Sequence, residues 1–207
     1  MSERHGLRAR LRGVYAVVEP ARGEPIAFVE ALLRGGIRLV QVRAKEGIDG
    51  TTLIAIVERV RAAGGIAVLN DDVGLARLAD GVHLGQEDAA HYDLAVLRDA
   101  LGPQAIIGLS CGTPQEAARV DPAVVDYVGV GPLFATGSKA DAGRPIGISG
   151  ARAVVEASPV ACAVIGGIGP TTIARARETG AAMAAVLSAL VEPDPAAAAS
   201  ALIERWG

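Results

Sequence analysis

At 207 residues the chain is long enough for one globular domain with a sizeable core, or at most two small ones. About half of it is apolar (51%) and a fifth charged (21%), as in folded proteins generally, while aromatics at 3% leave the core to Ala, Val, Leu and Ile. A net charge of -3, with no basic stripe and no apolar run near the ~20 residues of a bilayer span, excludes a general pull toward nucleic acid or membrane.

The opening segment MSERHGLRARLRG is basic but has neither the apolar stretch nor the cleavage site of a secretory signal, and residues 1–12 read as an extension. From Gly13 onward, short apolar runs alternate with helical spacing. Val14 to Val18 predicts a buried strand, and Glu24 to Arg34 a helix closed by Gly35-Gly36. Ile37 to Val42 predicts the second strand and Thr51 to Ala63 a helix stopped by Gly64-Gly65. Ile66 to Leu69 and Gly81 to Leu84 predict strands three and four, with helices over Asp72 to Ala79 and Asp93 to Leu101. Ala105 to Leu109 predicts strand five, then a helix over Thr113 to Val120 that opens with Thr, Pro and Glu. Val124 to Val130 predicts strand six, followed by a long loop and a helix over Ser149 to Ala157. Val160 to Ile165 and Ala182 to Leu187 complete the strands, with helices over Pro170 to Thr179 and Pro193 to Arg205.

Eight strand-then-helix units with near-continuous apolar strands imply a parallel sheet covered on both faces. The fold class is therefore α/β, a single-domain (β/α)8 TIM barrel over residues 13–207; an open doubly wound sheet usually has fewer units. Cys111 and Cys162 sit in or beside apolar runs without metal-site spacing and read as buried reduced thiols of a cytoplasmic protein.

In such barrels the chemistry gathers where strands end and βα loops begin. Strand two ends in Gln41-Val42-Arg43-Ala44-Lys45, and alternation puts Gln41, Arg43 and Lys45 on one face, toward the interior. Two cations there need a partner, and a structural ion pair explains them as well as a bound anion does. Strand three ends in Asn70-Asp71-Asp72 and strand four in His83-Leu84-Gly85-Gln86-Glu87-Asp88. Carboxylates at adjacent strand ends suit a hard cation such as Mg²⁺, although Asp72 and Glu87 serve equally well as caps. Ser110 after strand five offers a ligand hydrogen bond or a helix cap, the latter fitting Thr113 better. His83, on an apolar run, reads as a satisfied interior histidine, and His5 as part of a frayed N-terminus.

Gly166-Gly167-Ile168-Gly169-Pro170 after strand seven, opening a helix, lets an anion approach backbone N–H groups, and Ser188 after strand eight adds a hydroxyl. Barrels frequently build a phosphate site from these two loops. The segment VGPLFATGSKADAGRPIG (130–147) carries Lys139 behind Thr136 and Ser138, a cation with hydroxyls suited to an anion. A solvated surface lysine is the plainer reading. Combined, the strand ends offer two anion sites. Arg43, Lys45 and Lys139 with Mg²⁺ on Asp71 and Asp88 suit a pyrophosphate; Gly167 and Ser188 suit a single phosphate. With no nucleophile evident, such a mouth fits displacement of pyrophosphate.

These residues resemble the thiamine-phosphate synthase family. The matching stretches are VQVRAK at 40–45, LND at 69–71, HLGQED at 83–88, GLS at 108–110, DYVGVGPLFATGSK at 126–139, GGI at 166–168 and VLS at 186–188. The resemblance implies a transferase that joins hydroxymethylpyrimidine pyrophosphate to a thiazole phosphate, giving thiamine monophosphate and pyrophosphate through a pyrimidine-stabilised carbocation. It implies that Gln41, Arg43, Lys45, Asn70, Ser110 and Lys139 hold the pyrimidine and its pyrophosphate. Arg43, Lys45 and Lys139 would be the catalytic cations, and Asp71 and Asp88 would hold Mg²⁺. Thr136, Ser138, Gly167, Leu187 and Ser188 would hold the thiazole phosphate. The partners implied are small phosphorylated molecules, neither nucleic acid nor membrane, with a homo-oligomer left open. The chain departs from the pattern at Asp72, where the family usually has Arg, at Gly112, where it often has His, and at Ala135, where Pro is common. Two rivals are a thiazole tautomerase-like isomerase, which would use a histidine near position 112, and a non-catalytic phosphate-binding barrel.

Overall fold

Most strand residues are apolar on both faces, and the structure shows where each face goes. It is a computed structural model that describes residues 3–138 and 143–207. The strands are β1 (Gly13–Val18), β2 (Leu39–Val42), β3 (Ile66–Asn70), β4 (Gly81–Leu84), β5 (Ile106–Cys111), β6 (Tyr127–Val130), β7 (Ala161–Ile165) and β8 (Met183–Val186). They pair parallel in chain order, and β8 closes on β1 with Tyr15 opposite Ala185. Along β1, Val14, Ala16 and Val18 join one apolar cluster, while Tyr15 and Val17 join another. The first cluster includes helix residues such as Leu32, Leu53 and Val154 and fills the layer outside the barrel. The second, with Leu39, Ile66, Val68 and Met183, fills the interior. Period-two alternation thus feeds two cores from one strand.

The helices are α1 (Glu3–Arg8), α2 (Pro25–Arg34), α3 (Gly50–Ala62), α4 (Gln86–Ala89), α5 (Leu94–Leu101), α6 (Pro114–Ala118), α7 (Gly147–Ala157), α8 (Ile173–Ala176) and α9 (Pro195–Trp206). Thr113 starts α6 with a capping box, its hydroxyl accepting from Glu116 N while Glu116 reaches back. Several elements are shorter than their sequence pattern. The helix expected over 72–79 is only a 3₁₀ turn at Ala76–Leu78, because the Asp72 carboxylate accepts from Leu75 N and fixes a tight turn first. The helix expected from Pro170 begins at Ile173. Thr172 is the cause: its hydroxyl donates to Gly167 O and accepts from Gly169 N, holding the preceding residues out of the helix. Strand six starts at Tyr127, since Val124 and Val125 both donate to Asp121 O in a turn.

The basic segment expected to fray is helical from Glu3. Residues 3–8 form α1, Leu7 and Leu11 pack on the interior cluster, and Arg8 pairs with Asp126 and donates to Val125 O. This segment lies across the end of the barrel where the strands begin. The loops at the other end are therefore left to make a mouth.

Candidate active site

At the β1–β2 corner, Gln41 is the last interior-facing residue of β2, 6% exposed, with its Nε2 donating to the Tyr15 hydroxyl. Arg43 stands just beyond the strand, mostly buried, and its Nη1 is ion-paired with Glu19, which also holds Arg22. One nitrogen of a five-donor fork is thereby fixed, which aims the remainder. Lys45 does not share this face. The strand stops at Val42 and Ala44 to Gly47 turn back, with Gly47 N donating to Ala44 O, so alternation no longer applies and Lys45 is exposed. Beside Glu19, a cavity of about 170 Å³ runs between the ends of β1 and β8, with Arg22, Phe28 and Leu187 in its walls.

At the β3–β4 corner the two predicted carboxylates meet. Asp71 adopts φ +63°, unusual for a residue with a side chain, and its N–H donates to His83 O. Its carboxylate accepts from Gly85 N at 3.0 Å and from Asn70 Nδ2. Burial, and secondarily the charge of Asp88, push the Asp71 carboxyl above its usual range, while the Gly85 N–H opposes them. Asp88, in the first turn of α4, crowds the same space: a Cβ on Gly85 would fall 2.8 Å from Asp88 Oδ2 and 3.9 Å from Asp71 Oδ1. Like charges gathered in this way fit a cation. Two hard oxygen donors, with no group of three or more His, Cys, Asp or Glu converging among the described residues, suit Mg²⁺, which uses one or two carboxylates and leaves room for phosphate oxygens. Asp72, one residue on, caps its own turn.

Across the interior, Ser110 on β5 lies 3.1 Å from His83 Nε2, and His83 Nδ1 lies 3.0 Å from the Tyr127 hydroxyl. Tyr127 in turn bonds Tyr15 at 2.8 Å, so His83 is a hydrogen-bonded interior histidine, as its apolar run predicts. Two glycines make this line of rings fit. A Cβ on Gly108 would sit 2.2 Å from Tyr127 Cζ, and one on Gly129 3.0 Å from His83 Cε1. Ser110 caps no helix, since Thr113 does that.

The long loop starts by returning to β7: Leu133 N donates to Ile165 O and Phe134 N to Gly166 O. Gly167, at φ +63°, admits the loop so closely that a Cβ there would lie 2.6 Å from Ala135 O. This brings Thr136 and Ser138 (Ser138 N donating to Thr136 Oγ1 at 3.2 Å) to the β7 end of the mouth. Ser188, exposed, opens a 3₁₀ turn after β8, next to β7 in the barrel, and Leu187 packs on the interior cluster. No α-helix opens directly after Gly166-Gly167, so an anion there would meet turn N–H groups rather than a helix N-terminus. Lys139 lies outside the described residues.

Sequence reasoning missed Glu19, Tyr15 and Tyr127. Glu19 had a signal in its position directly after strand one. The tyrosines had none, because aromatics in strands are ordinary core. Both cysteines are buried, and burial pushes the Cys111 thiol up to about 12.

The family model described as thiamine monophosphate synthase matches residues 14–190. The chain is 43% identical over 190 residues to a thiamine-phosphate synthase of Moorella thermoacetica, covering 88% of this chain and 89% of that one. It is 42% identical over 199 residues to a thiamine biosynthesis bifunctional protein of Symbiobacterium thermophilum, of which it spans only 40%. Among solved structures, a thiamine phosphate pyrophosphorylase from Pyrococcus furiosus superposes with a TM-score of 0.83 at 29% identity, covering 97% of each chain.

Proposed function

The chain belongs to the thiamine monophosphate synthase family and is a thiamine-phosphate synthase, and on that premise we propose how its mouth carries out the condensation. Gln41 and Ser110 hold the pyrimidine between opposite walls, with Asn70 beside them. Arg43, its guanidinium held by Glu19, binds the pyrophosphate of that substrate. Lys45, from its exposed turn, and Lys139, from the loop, add positive charge around the same group. Asp71 and Asp88 hold Mg²⁺, which when bound neutralises charge that builds on the departing pyrophosphate. Thr136, Ser138 and Ser188, with backbone N–H groups at Gly167 and Leu187, hold the thiazole phosphate.

The chain supplies no nucleophile to the reaction. Its residues instead orient two substrates and stabilise the leaving group, so that the C–O bond to pyrophosphate breaks and the thiazole nitrogen captures the pyrimidine methylene. With Asp72 occupied by its own turn, the charge falls to Arg43, Lys45 and Lys139. The isomerase alternative finds no support: the relatives described above are synthases, and position 112 is Gly.

The observation that carries this reading is the meeting of Asp71 and Asp88 over Gly85, in the same mouth as a half-buried Arg43 held by Glu19. The test is to mix both substrates with and without Mg²⁺ and follow pyrophosphate and thiamine monophosphate. Stoichiometric formation of both, dependent on the metal, is expected. Equal rates with the metal chelated would remove the role given to the two carboxylates.

A further inference from the structure

The turn after β7 carries two backbone amides whose direction is set by their neighbours. Gly166 O accepts from Phe134 N at 3.0 Å, and Gly167 O accepts from the Thr172 hydroxyl at 2.9 Å. In a planar trans peptide the N–H points opposite to the carbonyl. The Gly167 N–H is therefore turned away from Phe134, and the Ile168 N–H away from Thr172. Neither donates to an acceptor among the described residues. The Ile168 side chain, 4% exposed, is anchored in the outer apolar layer, so this stretch of backbone has a fixed seat.

The Thr172 hydroxyl acts at both ends of this turn. It donates to Gly167 O, the nearer of two carbonyls (Gly169 O is at 3.4 Å), and accepts from Gly169 N at 2.9 Å. On one side the turn touches the loop that carries Thr136 and Ser138, since a Cβ on Gly167 would lie 2.6 Å from Ala135 O. On the other, a Cβ on Gly169 would lie 3.4 Å from Ala189 Cβ, in the 3₁₀ turn that Ser188 opens. The two unpartnered amides thus belong to a turn seated between the hydroxyls assigned to the thiazole phosphate. Successive N–H groups in such a turn make a concavity for an anion.

We propose that the Ile168 N–H is a further donor to the thiazole phosphate, and that Thr172 is the positioning residue that aims it. The inference rests on the reading above that this turn and Ser188 hold that phosphate. Without the hydroxyl, Gly167 O and Gly169 N both lose their partner. Gly167 has no side chain to resist a change of its backbone angles, so the 167–168 peptide is then free to rotate. Rotation turns the N–H away from the phosphate and brings a carbonyl, which repels an anion, into its place. Thr172 itself touches no substrate in this scheme. The buried side chains of α8, Ile173 and Ala176, keep their packing whether or not the hydroxyl is present.

The experiment measures kcat and the KM of each substrate, with Mg²⁺ present, in the wild type, Thr172→Val, Thr172→Ser and Ser188→Ala. In Thr172→Val the KM for thiazole phosphate is expected to rise at least about tenfold, and that for the pyrimidine pyrophosphate to stay within about twofold, because a charge-assisted hydrogen bond is lost at one substrate only. Thr172→Ser, which keeps the hydroxyl, should restore the wild-type value. A merely structural hydroxyl would lower the melting point and leave both KM values alone, or raise both together. Either result in folded Thr172→Val, beside a Ser188→Ala that raises only the thiazole phosphate KM, overturns the proposal and spares the site. If Ser188→Ala and Thr172→Val are both without effect, the phosphate lies elsewhere, and the reading of the site falls together with the proposal. Should Thr172→Val not fold, Thr172→Ala is held to the same criterion. Independently, ¹H–¹⁵N spectra of the wild type should show the Ile168 amide proton moving downfield as thiazole phosphate is added, and an unmoved resonance overturns the assignment of that donor.

Discussion

Asp71 concentrates the tension of the mouth in a single residue: a left-handed backbone at φ +63° and a carboxyl pushed up by burial and by Asp88. Replacing Asp88 by Asn removes the repelling charge. The metal-free protein should then melt at the same temperature or higher, while its Mg²⁺ affinity, read by calorimetry, weakens at least about tenfold, or ~1.4 kcal/mol. A lower melting point with unaltered affinity would make Asp88 a structural cap only. The same carboxyl sets two opposite pH responses. Its folded pKa lies above the unfolded value, so the folded, metal-free protein binds that proton more tightly. The stability gained from it is present at low pH and is lost as pH rises through the folded pKa. Magnesium binding runs the other way, because only the ionised carboxylate is a ligand, and should fade on acidification earlier than for an ordinary carboxylate pair. Melting and binding curves taken over the same acid range check both signs.

The strands of the barrel are paired not only by hydrogen bonds but by what one omits for another. β5 lacks a side chain at Gly108 where the Tyr127 ring of β6 lies across it, and β6 lacks one at Gly129 where His83 of β4 reaches over. Gly108→Ala forces its Cβ against a fully buried ring, an overpacking that costs about 1–3 kcal/mol or more. Gly129→Ala meets a longer gap and should cost less. Urea midpoints for the two variants test that order, and a reversal would mean that the Tyr127 ring moves more freely than its packing indicates. The helices show the same local logic in another form. Where a hydroxyl or carboxylate can bond its own backbone, as at Asp72 and Thr172, a turn wins over the apolar periodicity around it.

For the molecule as a whole, the closed end is tied by Asp126, 2% exposed, which pairs with Arg98 of α5 and Arg8 of α1 and accepts from Ile107 N of β5. Asp126→Ala leaves the largely buried Arg98 without its carboxylate and should cost about 3–5 kcal/mol, seen as a lower urea midpoint at constant slope. A change under about 1 kcal/mol would show that the carbonyls of Val124 and Ala105 suffice for that guanidinium.

The architecture was legible in the chain because it depends on local chemistry. Alternation in eight apolar runs, each followed by a helical stretch, specifies a parallel sheet with two covered faces, and that sheet's geometry sends the residues after each run to one rim. Asp71 and Asp88 were readable as a pair for this reason: adjacent strands end side by side. Lys45 was misplaced because alternation says nothing about where a strand stops. The rest was decided by closure of the barrel. Glu19 beneath Arg43, and Tyr15 against Tyr127 at a separation of 112 residues, are contacts fixed by barrel radius and stagger. No single segment encodes those quantities, so only the tertiary structure could show which polar side chains meet inside.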